Sequence, residues 1–590
     1  MKFKHSSPGK RLTKKDIIIL LIIMLIYSAI AFYRLGYNYA PETGWNASRG
    51  QNIILDLGSP TDISTIDFYI GNYAYYDLSV SGRNNTSEPW TTIYSKEVSS
   101  AFSWQRASIN QNKRYLMFIL TSPNGSLLES VIRDNDGNTI IPVNSEEYAN
   151  LFDEQDMRQD NITFMSGTYF DEIYHARTAY EYIHGLTSYE NTHPPLGKII
   201  ISTGIRLFGM NPFGWRFMGT LFGILMNPAI YIFAKKIFEK TWLTSIICIL
   251  FTFDFMHFAQ TRIATIDVFI TFFIILMYYF MYQYISLSFY DTSLKKTLVP
   301  LGACGITMGL GCASKWTGCY AGAGLGIIFL VHLFNRFKEY RYAKKHPDDS
   351  TDGIKHQHVI QVFPKYTLLT LLFCIVCFII IPGIIYVLSY IPFRSYIANE
   401  PLIQRLIHNQ TNMFNYHSGL KATHAYSSHW YQWPTMVRPI LFYSISLSNK
   451  IGEGISSFGN PAVWWMGIPA ASYALYKMIA DSDKKAGFLI IGYGAQFVPW
   501  MLVPRYTFIY HYFPSTPFVV LIIGYCLNSF YSKSSTDSGK KRVITCCIAY
   551  AVIAILLFIM FYPVLSGLPI NKEYVATFLR WFKHSWTLVI

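Results

Sequence analysis

Hydrophobic residues along this chain gather into long runs that are separated by short, basic loops. Several runs, at 16–30, 359–390 and 543–562, approach or exceed the ~20 apolar residues needed to cross a bilayer. The pattern predicts a polytopic α-helical membrane protein with about eleven transmembrane helices. We place them at about 17–34, 212–234, 242–259, 263–287, 297–314, 317–337, 366–392, 461–480, 486–503, 507–530 and 542–564.

The charges between these runs predict how the chain crosses the membrane. A basic tail, residues 1–16, contains six Lys and Arg before its first acid, and alternating loops are also basic, so both lie in the cytoplasm by the positive-inside rule. The first run ends at Tyr33 and Arg34 without a small-residue cleavage pattern, so we interpret it as a retained span. An odd number of spans then places the tail 565–590 outside, together with the hydrophilic segments 35–211 and 393–460. We therefore expect a multi-pass protein of the cell membrane whose chemistry faces outward.

Composition agrees with this class and excludes others. The chain is 51% hydrophobic, 17% aromatic and only 14% charged, which excludes a disordered chain. Its net charge of +14 lies largely in the predicted cytoplasmic loops, so it indicates membrane orientation and no nucleic-acid partner. All nine cysteines fall in apolar runs, which is not the pattern of a disulfide scaffold.

Residues 45–145 differ from the rest of the chain because they contain short strand-like runs. These runs alternate with Gly, Asn, Pro and Ser turn signals about every ten residues, which predicts a β-sandwich inserted outside the membrane. Stretches such as 55–58, 66–69 and 102–104 resemble the discoidin-like (coagulation factor 5/8 type C) carbohydrate-binding module. An inert spacer would show the same pattern.

The segment after these strands, 165–211, carries adjacent carboxylates. Asp171 and Glu172 are flanked by Tyr and Phe, and a basic motif, Thr192 to Lys198, follows. Such a pair can supply one ionised carboxylate as a general base while the other orients a substrate. The alternative is an ordinary first helical turn, where acids favour the helix dipole.

Ionisable residues at predicted span ends strengthen the catalytic interpretation. Five of them lie near the predicted outer face, where burial is costly: Arg216, Arg262, Asp267, Lys315 and Arg505. Cations at that depth suit a phosphate leaving group. Snorkelling explains them as well, and Arg262 and Asp267 are close enough in sequence to pair locally.

The second outer segment is rich in His, Tyr and Trp, which is typical of sugar or peptide recognition. His417, His424 and His429 have spacings of seven and five residues, which match no usual metal signature, so we predict no metal site. An interfacial aromatic belt would explain the Trp and Tyr but not the histidines.

Seven of these stretches occur in the order known from one family. The chain resembles the protein O-mannosyltransferases, membrane enzymes of the GT-C glycosyltransferase fold, and bacterial members in particular. The similar stretches are 169–176, 192–198, 214–216, 262–267, 313–318, 417–434 and 505–514.

The resemblance implies transfer of mannose from a polyprenyl-phosphate-mannose donor to Ser or Thr hydroxyls of exported polypeptides, with inversion. By motif, Asp171 is the candidate base, Glu172 its partner, and Arg216 a residue that binds donor phosphate or sugar. Charge and position, rather than resemblance, add two sets of candidates. Lys198, Arg505 and His511 are expected to contact phosphate, and His193, His417, Lys421 and His424 to hold donor or acceptor. No cofactor is required, and nothing indicates a divalent cation.

The chain departs from the family pattern in two places. Segment 393–460 is too short for the MIR domain of eukaryotic members, and the strand-rich insertion occupies a normally short first loop. Two alternatives stay open: a GT-C transferase that uses another lipid-linked sugar or a lipid or glycan acceptor, and a lipid-linked sugar transporter. The sequence leaves the oligomeric state, the carrier length and the insertion's ligand undetermined.

Overall fold

The computed structural model describes residues 3–7, 9–46, 52–72, 76–98, 100–120, 126–420 and 424–589. Its contacts divide the chain into two compact units. The helical unit comprises Met1–Tyr33, Glu190–Ile199 and Gly219–Ile590, and the sheet unit comprises Arg34–Tyr189 and Ile200–Met218.

Long helices form most of the described chain. Their bounds are α1 Lys14–Phe32, α2 Glu172–His184, α3 Leu196–Phe208, α4 Pro212–Phe238, α5 Thr241–Thr252, α6 Phe255–Thr261, α7 Asp267–Ile285, α8 Leu294–Ser314, α9 Thr317–Lys345, α10 His356–Ile375, α11 Ile381–Ser389, α12 Leu402–Gly419, α13 Pro461–Ala480, α14 Lys484–Phe497, α15 Thr516–Lys533, α16 Asp537–Ser566 and the short α17 Lys572–Tyr574.

Within the described residues, eight helices are long and apolar enough to cross a membrane, or nine if one bent pair is a single span. The chain is thus a multi-pass membrane protein. Helices overlap all eleven predicted spans, but α14 has 14 residues, short for an independent span, so the count of eleven stays a prediction.

The predicted span 242–259 contains a break. Helices α5 and α6 meet at 55°, and Asp254 caps α6 by accepting hydrogen bonds from the backbone of Met256 at 3.1 Å and His257 at 3.2 Å. Its other oxygen accepts from the Asn460 backbone at 3.1 Å. The buried carboxylate thus accepts from two amides at the open start of α6 and from the Asn460 amide, which holds the bend in place.

Seven antiparallel strands form one hydrogen-bonded sheet in the sheet unit, in the order β1-β6-β2-β5-β3-β4, with β7 beside β6. All of them lie between residues 45 and 140. Their bounds are β1 Trp45–Asn46, β2 Asn52–Ile70, β3 Tyr76–Arg83, β4 Thr91–Val98, β5 Ser103–Leu120, β6 Ser126–Arg133 and β7 Thr139–Ile140.

The two longest strands, β2 and β5, bend so that the sheet encloses a single core. Their pairing shifts register between Asp56 and Thr61 and again between Ile63 and Thr65. Irregularities of this kind bend a sheet. Side chains from both ends of β2, such as Ile53 and Phe68, belong to one buried cluster. The strands thus lie where the sequence predicts a sandwich, but they are one continuous sheet, and the discoidin-like resemblance stays a prediction.

Short strands elsewhere form two further sheets. They are β8 Ser350–Thr351 paired with β9 Ile354–Lys355, and the three-stranded β10 Ile440–Ser446, β11 Ile451–Ser457 and β12 Ile570–Asn571. The three-stranded sheet brings the predicted outer segment 393–460 and the C-terminal tail together, and the Trp586 indole donates a hydrogen bond to the Met436 carbonyl at 2.8 Å. The sequence indicates none of these strands.

Candidate active site

Asp171 lies at the start of α2 in the sheet unit. The residue before it, Phe170, has a φ of +49°, so the chain turns sharply just before the helix begins. Asp171 occupies the N-cap position and is half-buried, and its backbone carbonyl accepts from the Tyr174 and His175 amides at 3.1 and 3.2 Å. The helix dipole at this end favours the ionised form of a carboxylate. This arrangement is consistent with either predicted role, base or helix-terminus acid.

Glu172 forms a buried ion pair with Arg216, and neither residue is exposed to solvent. The guanidinium donates to both carboxylate oxygens, at 2.7 Å through Nε and at 2.8 Å through Nη2. The Trp215 indole donates to the same carboxylate at 3.2 Å. Such a bidentate pair fixes the carboxylate in one orientation.

The same guanidinium also ties together the chain around α2. Its Nη1 donates to the Leu35 carbonyl and its Nη2 to the Gly167 carbonyl, both at 2.8 Å. A side chain at Gly36 would place its Cβ 2.5 Å from the Cβ and 2.8 Å from the backbone carbon of Pro212, so glycine is required there. The sequence makes Arg216 a candidate for phosphate or sugar binding; in the structure its described hydrogen bonds hold Glu172 and backbone, which favours a positioning role.

The helical unit holds the predicted residue His193 in a compact loop and Lys198 in the first turn of α3, directly after that loop. The Lys198 ammonium, which is fully buried, pairs with the Glu190 carboxylate and donates to the His193 carbonyl at 2.9 Å. The other Glu190 oxygen lies 2.9 Å from the His193 Nδ1. Lys198 therefore supports the loop from behind, and direct contact with phosphate is not what this geometry favours.

A cavity of about 270 Å³ in the helical unit gathers four of the predicted residues, His193, Lys315, His417 and Arg505. The remaining lining is mostly apolar or aromatic, including Trp316, Tyr320, Met413, Phe414 and Trp500, with hydroxyl groups from Thr192, Thr317 and Ser418. Among the described lining residues there is no carboxylate. The cavity therefore offers cations and imidazoles to a ligand that carries negative charge.

The two cations of this cavity, Lys315 and Arg505, have different surroundings. Lys315 follows the end of α8 and its ammonium contacts Asp267 at 2.7 Å, with both side chains largely buried. Arg505 is half-buried, and no hydrogen bond or ion pair joins its side chain to another residue in the described part of the chain. Arg505 is thus the cation best able to accept an anionic group from outside.

The sequence left open a local ion pair between Arg262 and Asp267, but Arg262 has other partners in the structure. Its guanidinium donates to the carbonyls of Ala31 at 3.0 Å, Tyr33 at 2.7 Å and Ser566 at 3.2 Å. These carbonyls belong to the C-terminal ends of α1 and α16, where the helix dipole favours a cation. Arg262 thus joins two helix ends, and the local pair with Asp267 is replaced by the pair with Lys315.

His417 has a defined tautomer. Its Nε2 lies 2.8 Å from the Thr192 carbonyl, which can only accept, so Nε2 carries the hydrogen. Its Nδ1 is then an acceptor; it is buried and bonds to no other described residue. Burial lowers the pKa of His417 to about 4, with the nearby His193, Arg505 and Lys315 acting in the same direction. A neutral imidazole with an available lone pair can hold a hydroxyl group.

The remaining predicted residues lie apart from this cavity lining. His511 is buried, its Nδ1 is 2.9 Å from the Phe508 carbonyl, and its ring packs 4.3 Å from Trp500, so it supports the cavity wall. His424 is exposed and packs edge-on against Phe508 at 5.1 Å. Lys421 lies outside the described residues.

One group of carboxylates among the described residues has metal-binding spacing. Glu129, Asp153 and Glu154, in the sheet unit, have oxygens within 4.8 Å of one another. The Glu154 amide donates to Glu129 at 2.6 Å, and the Thr43 hydroxyl donates to Asp153 at 3.0 Å. These donors account for the cluster without a cation.

Sequence reasoning missed Glu190 and Trp316. Glu190 pairs with both Lys198 and His193, and the Trp316 indole donates to the Tyr386 hydroxyl at 3.0 Å beside the cavity. Glu190 stands three residues before His193, so its proximity to that motif was the available signal. Trp316 directly follows Lys315, but nothing in the sequence indicates its partner on α11.

The fold has a clear counterpart among solved structures. The protein O-mannosyltransferase complex of Saccharomyces cerevisiae bound to its sugar donor superposes with a TM-score of 0.59, covering 71% of this chain and 89% of that chain at 14% identity. The chain therefore has the fold of the GT-C membrane glycosyltransferases.

Sequence comparison then identifies the family. Residues 208–396 match the family model "Dolichyl-phosphate-mannose-protein mannosyltransferase", and residues 402–586 match the "C-terminal four TMM region of protein-O-mannosyltransferase". The polyprenol-phosphate-mannose–protein mannosyltransferase of Mycobacterium tuberculosis is 26% identical over 459 residues, 68% of this chain and 84% of that protein. Its counterpart in Mycolicibacterium smegmatis is 27% identical over 460 residues, which cover 68% of this chain and 85% of that protein. The chain belongs to the protein O-mannosyltransferase family.

Proposed function

We propose that this chain transfers mannose from a polyprenyl-phosphate-mannose donor to Ser or Thr hydroxyls of exported polypeptides, at the outer face of the cell membrane. Family membership supports the reaction class. The observation that carries the proposal is the cavity of about 270 Å³, whose described lining contains Lys315, Arg505 and two imidazoles but no carboxylate; Asp267 contacts Lys315 from outside that lining.

The cavity is suited to the donor phosphate. When the sugar leaves, negative charge develops on the phosphate oxygen, and fixed cations stabilise that charge. Arg505 is available for a charge-assisted contact, whereas Lys315 is held in place by Asp267 at 2.7 Å. The apolar and aromatic lining lowers the local dielectric, which strengthens both interactions.

The neutral imidazole of His417 completes this cavity. Because its Nε2–H is committed to the Thr192 carbonyl at 2.8 Å, its Nδ1 accepts a hydrogen bond from a substrate hydroxyl. In this proposal His417 has a positioning role: by holding a substrate hydroxyl it lowers the entropic cost of placing donor and acceptor in the geometry for reaction.

Asp171 is the proposed base. The acceptor oxygen attacks the anomeric carbon, the bond from that carbon to the phosphate oxygen breaks, the hydroxyl proton moves to the Asp171 carboxylate, and the phosphate leaves with the bonding electrons. A single displacement of this kind inverts the anomeric centre. In this proposal Glu172 does not take the proton: its carboxylate is engaged by Arg216 at 2.7 Å, and the pair holds the start of α2.

The test is transfer of mannose from polyprenyl-phosphate-mannose to a Ser/Thr-rich peptide by the purified chain. Asp171→Asn is expected to lower kcat by about 10²- to 10⁴-fold, the range for a general base, while donor binding stays unchanged. Arg505→Gln is expected to weaken donor binding by about tenfold or more, the size of a charge-assisted hydrogen bond.

Two matched substitutions serve as controls. Asp156→Asn and Arg438→Gln change exposed residues of the same types and are expected to leave both constants unchanged. Transfer by Asp171→Asn at the native rate would remove the base assignment. Donor binding without transfer to any peptide would move the acceptor to a lipid or glycan, and no donor binding at all would refute the mannosyltransferase proposal.

A further inference from the structure

The sheet unit contains a second cavity, of about 290 Å³, that the proposed reaction does not use. Its walls come from the strand-rich segment, represented by Leu128 of β6 and by Phe102 just before β5, and from α2 and α3, represented by Ile183 and Ile205. The cavity therefore lies beside the C-terminal part of the helix that begins at Asp171 and Glu172.

The floor of this cavity is apolar. Ile205 is buried, Leu128 and Ile183 are half-buried, and the rings of Phe102 and Tyr180 lie 5.1 Å apart. A floor of aliphatic side chains gains free energy by covering another apolar group, at about 25 cal/mol per Å².

The rim carries one charge of each sign. Glu42 and Arg206 are both exposed, and neither side chain forms an ion pair or hydrogen bond within the described part of the chain. The Glu42 carboxylate lies close to Gly209, where an added Cβ would be 3.3 Å from Oε1. Gly209 has a φ of +88°, a backbone conformation that favours glycine.

An aliphatic floor beneath a polar rim of Glu42, His184 and Arg206 suits a polypeptide, which has apolar side chains and a polar backbone. Sugar sites present an open aromatic face, whereas here the rings of Phe102 and Tyr180 pack against each other at 5.1 Å and four apolar side chains, Leu128, Ile183, Ile205 and Met210, line the cavity. One apolar side chain of a peptide would fill the floor. Glu42 would accept from backbone N–H groups of that peptide, and Arg206 would donate to its carbonyls.

We propose that this cavity binds an apolar side chain of the acceptor polypeptide, a few residues away from the hydroxyl that is modified. The inference rests on the proposed function. Tyr180 and Ile183 lie nine and twelve residues after Asp171 on α2, which at 1.5 Å per residue is roughly 14–18 Å. An extended peptide covers that distance in about four to six residues at ~3.3 Å each.

The first experiment uses peptides with a single Thr in a Gly/Gln background and one Leu placed one, five or ten residues from it, on either side. With the full chain, KM is expected to be about tenfold lower for the spacing of five, because only that spacing buries the Leu while the Thr reaches Asp171. The value corresponds to burial of most of one aliphatic side chain. Binding of the labelled peptides in the absence of donor is measured in parallel by fluorescence anisotropy.

Two variants test the assignment to this cavity. Ile183→Ser removes part of the floor and is expected to abolish most of the preference for the spacing of five. Arg206→Gln removes the rim charge that contacts the peptide backbone, so it is expected to raise KM for every peptide and to leave the preference for the spacing of five in place. Leu207→Ser is the matched control, because Leu207 is 64% exposed on α3 and does not line the cavity.

The possible results separate this inference from the proposed function. Transfer that shows no dependence on Leu spacing would overturn the inference and leave the mannosyltransferase proposal intact. Leu-dependent peptide binding that Ile183→Ser removes, without transfer to any peptide, would support the cavity and refute the proposed reaction. Binding of a manno-oligosaccharide instead of peptide, lost in Ile183→Ser, would overturn the polypeptide assignment.

Discussion

At the residue scale, the structure defines the hydrogen-bond partners and the tautomer or ion pairing of residues that the sequence names only as candidates. The sequence proposes His417 as a contact for donor or acceptor, but the Thr192 carbonyl at 2.8 Å determines which ring nitrogen carries the hydrogen. The structure also distinguishes two cations that the sequence treats alike. Lys315 is paired with Asp267, whereas Arg505 is paired with no described side chain. A hydrogen bond between residues distant in sequence has no local signature, so neither fact was predictable.

The neutral state of His417 has a measurable consequence. Folding lowers its pKa from the ordinary 6.5 to about 4, so the unfolded chain binds a proton in this interval while the folded chain does not. Stability is therefore expected to fall as pH decreases from about 6.5 towards 4, and the loss is complete only below the folded pKa. The groups that face this imidazole are His193, Lys315 and Arg505.

Thermal unfolding of the purified chain at pH 7 and pH 5 measures this effect. The drop in Tm between the two pH values should be smaller in His417→Gln than in the native chain, because glutamine does not titrate. It should not vanish, since burial lowers the pKa of His193 too. His584→Gln, a change at an exposed histidine, should show the native drop. An equal drop in all three proteins would contradict the neutral assignment.

At the scale of elements, α2 depends on the buried pair between Glu172 and Arg216. Both side chains have no solvent exposure, so removing one partner leaves the other charge buried without its bidentate ion pair. The cost of such a change is about 3–5 kcal/mol of unfolding free energy. The pair also explains why two adjacent acids have different surroundings: Glu172 points into packed protein, whereas Asp171 is half-buried.

Glu172→Gln and Arg216→Gln are each expected to lower the free energy of unfolding by about 3–5 kcal/mol, and the double variant by less than the sum. Chemical denaturation of the four proteins gives the coupling energy. Asp156→Asn, at an exposed position, is expected to change stability by less than about 0.5 kcal/mol. Additive effects would show that the two residues act independently.

Prediction from sequence was most accurate for elements with a strong local signal. Helix α13 spans Pro461–Ala480, which are the bounds predicted from hydropathy, because Asn460 caps it by accepting from the Ala462 amide at 3.0 Å and a Pro follows directly. The break at Asp254 and the sheet of β10, β11 and β12 were missed. Both depend on partners far along the chain, Asn460 in one case and residues 570–571 in the other.

At the scale of the whole molecule, the number of spans determines where the chain ends lie. Eight helices qualify by length and composition among the described residues, or nine with the bent pair, whereas charge alternation predicts eleven. Eight spans would place both ends on one side, and nine or eleven would place them on opposite sides. The basic N-terminal tail favours a cytoplasmic start.

Reporter fusions test this topology. Alkaline phosphatase, active only outside the cytoplasm, is expected to be active when fused after residue 589 and inactive when fused at the N-terminus, and green fluorescent protein should give the opposite result. A fusion in the predicted cytoplasmic loop at Ser534 serves as the internal control. Activity of the same reporter at both ends would indicate an even number of spans.

The sequence by itself determined the class of protein, because apolar runs, basic loops and ordered motifs are local or nearly local signals. It also brought forward His193, Lys315, His417 and Arg505, which the structure gathers around one cavity. Tertiary structure alone decided that Glu172 belongs to Arg216, Asp267 to Lys315 and Lys198 to Glu190. The physical reason is that a buried charge needs an opposite charge close to it in space. The spacing of residues along the chain does not specify which opposite charge the packing of the helices brings close.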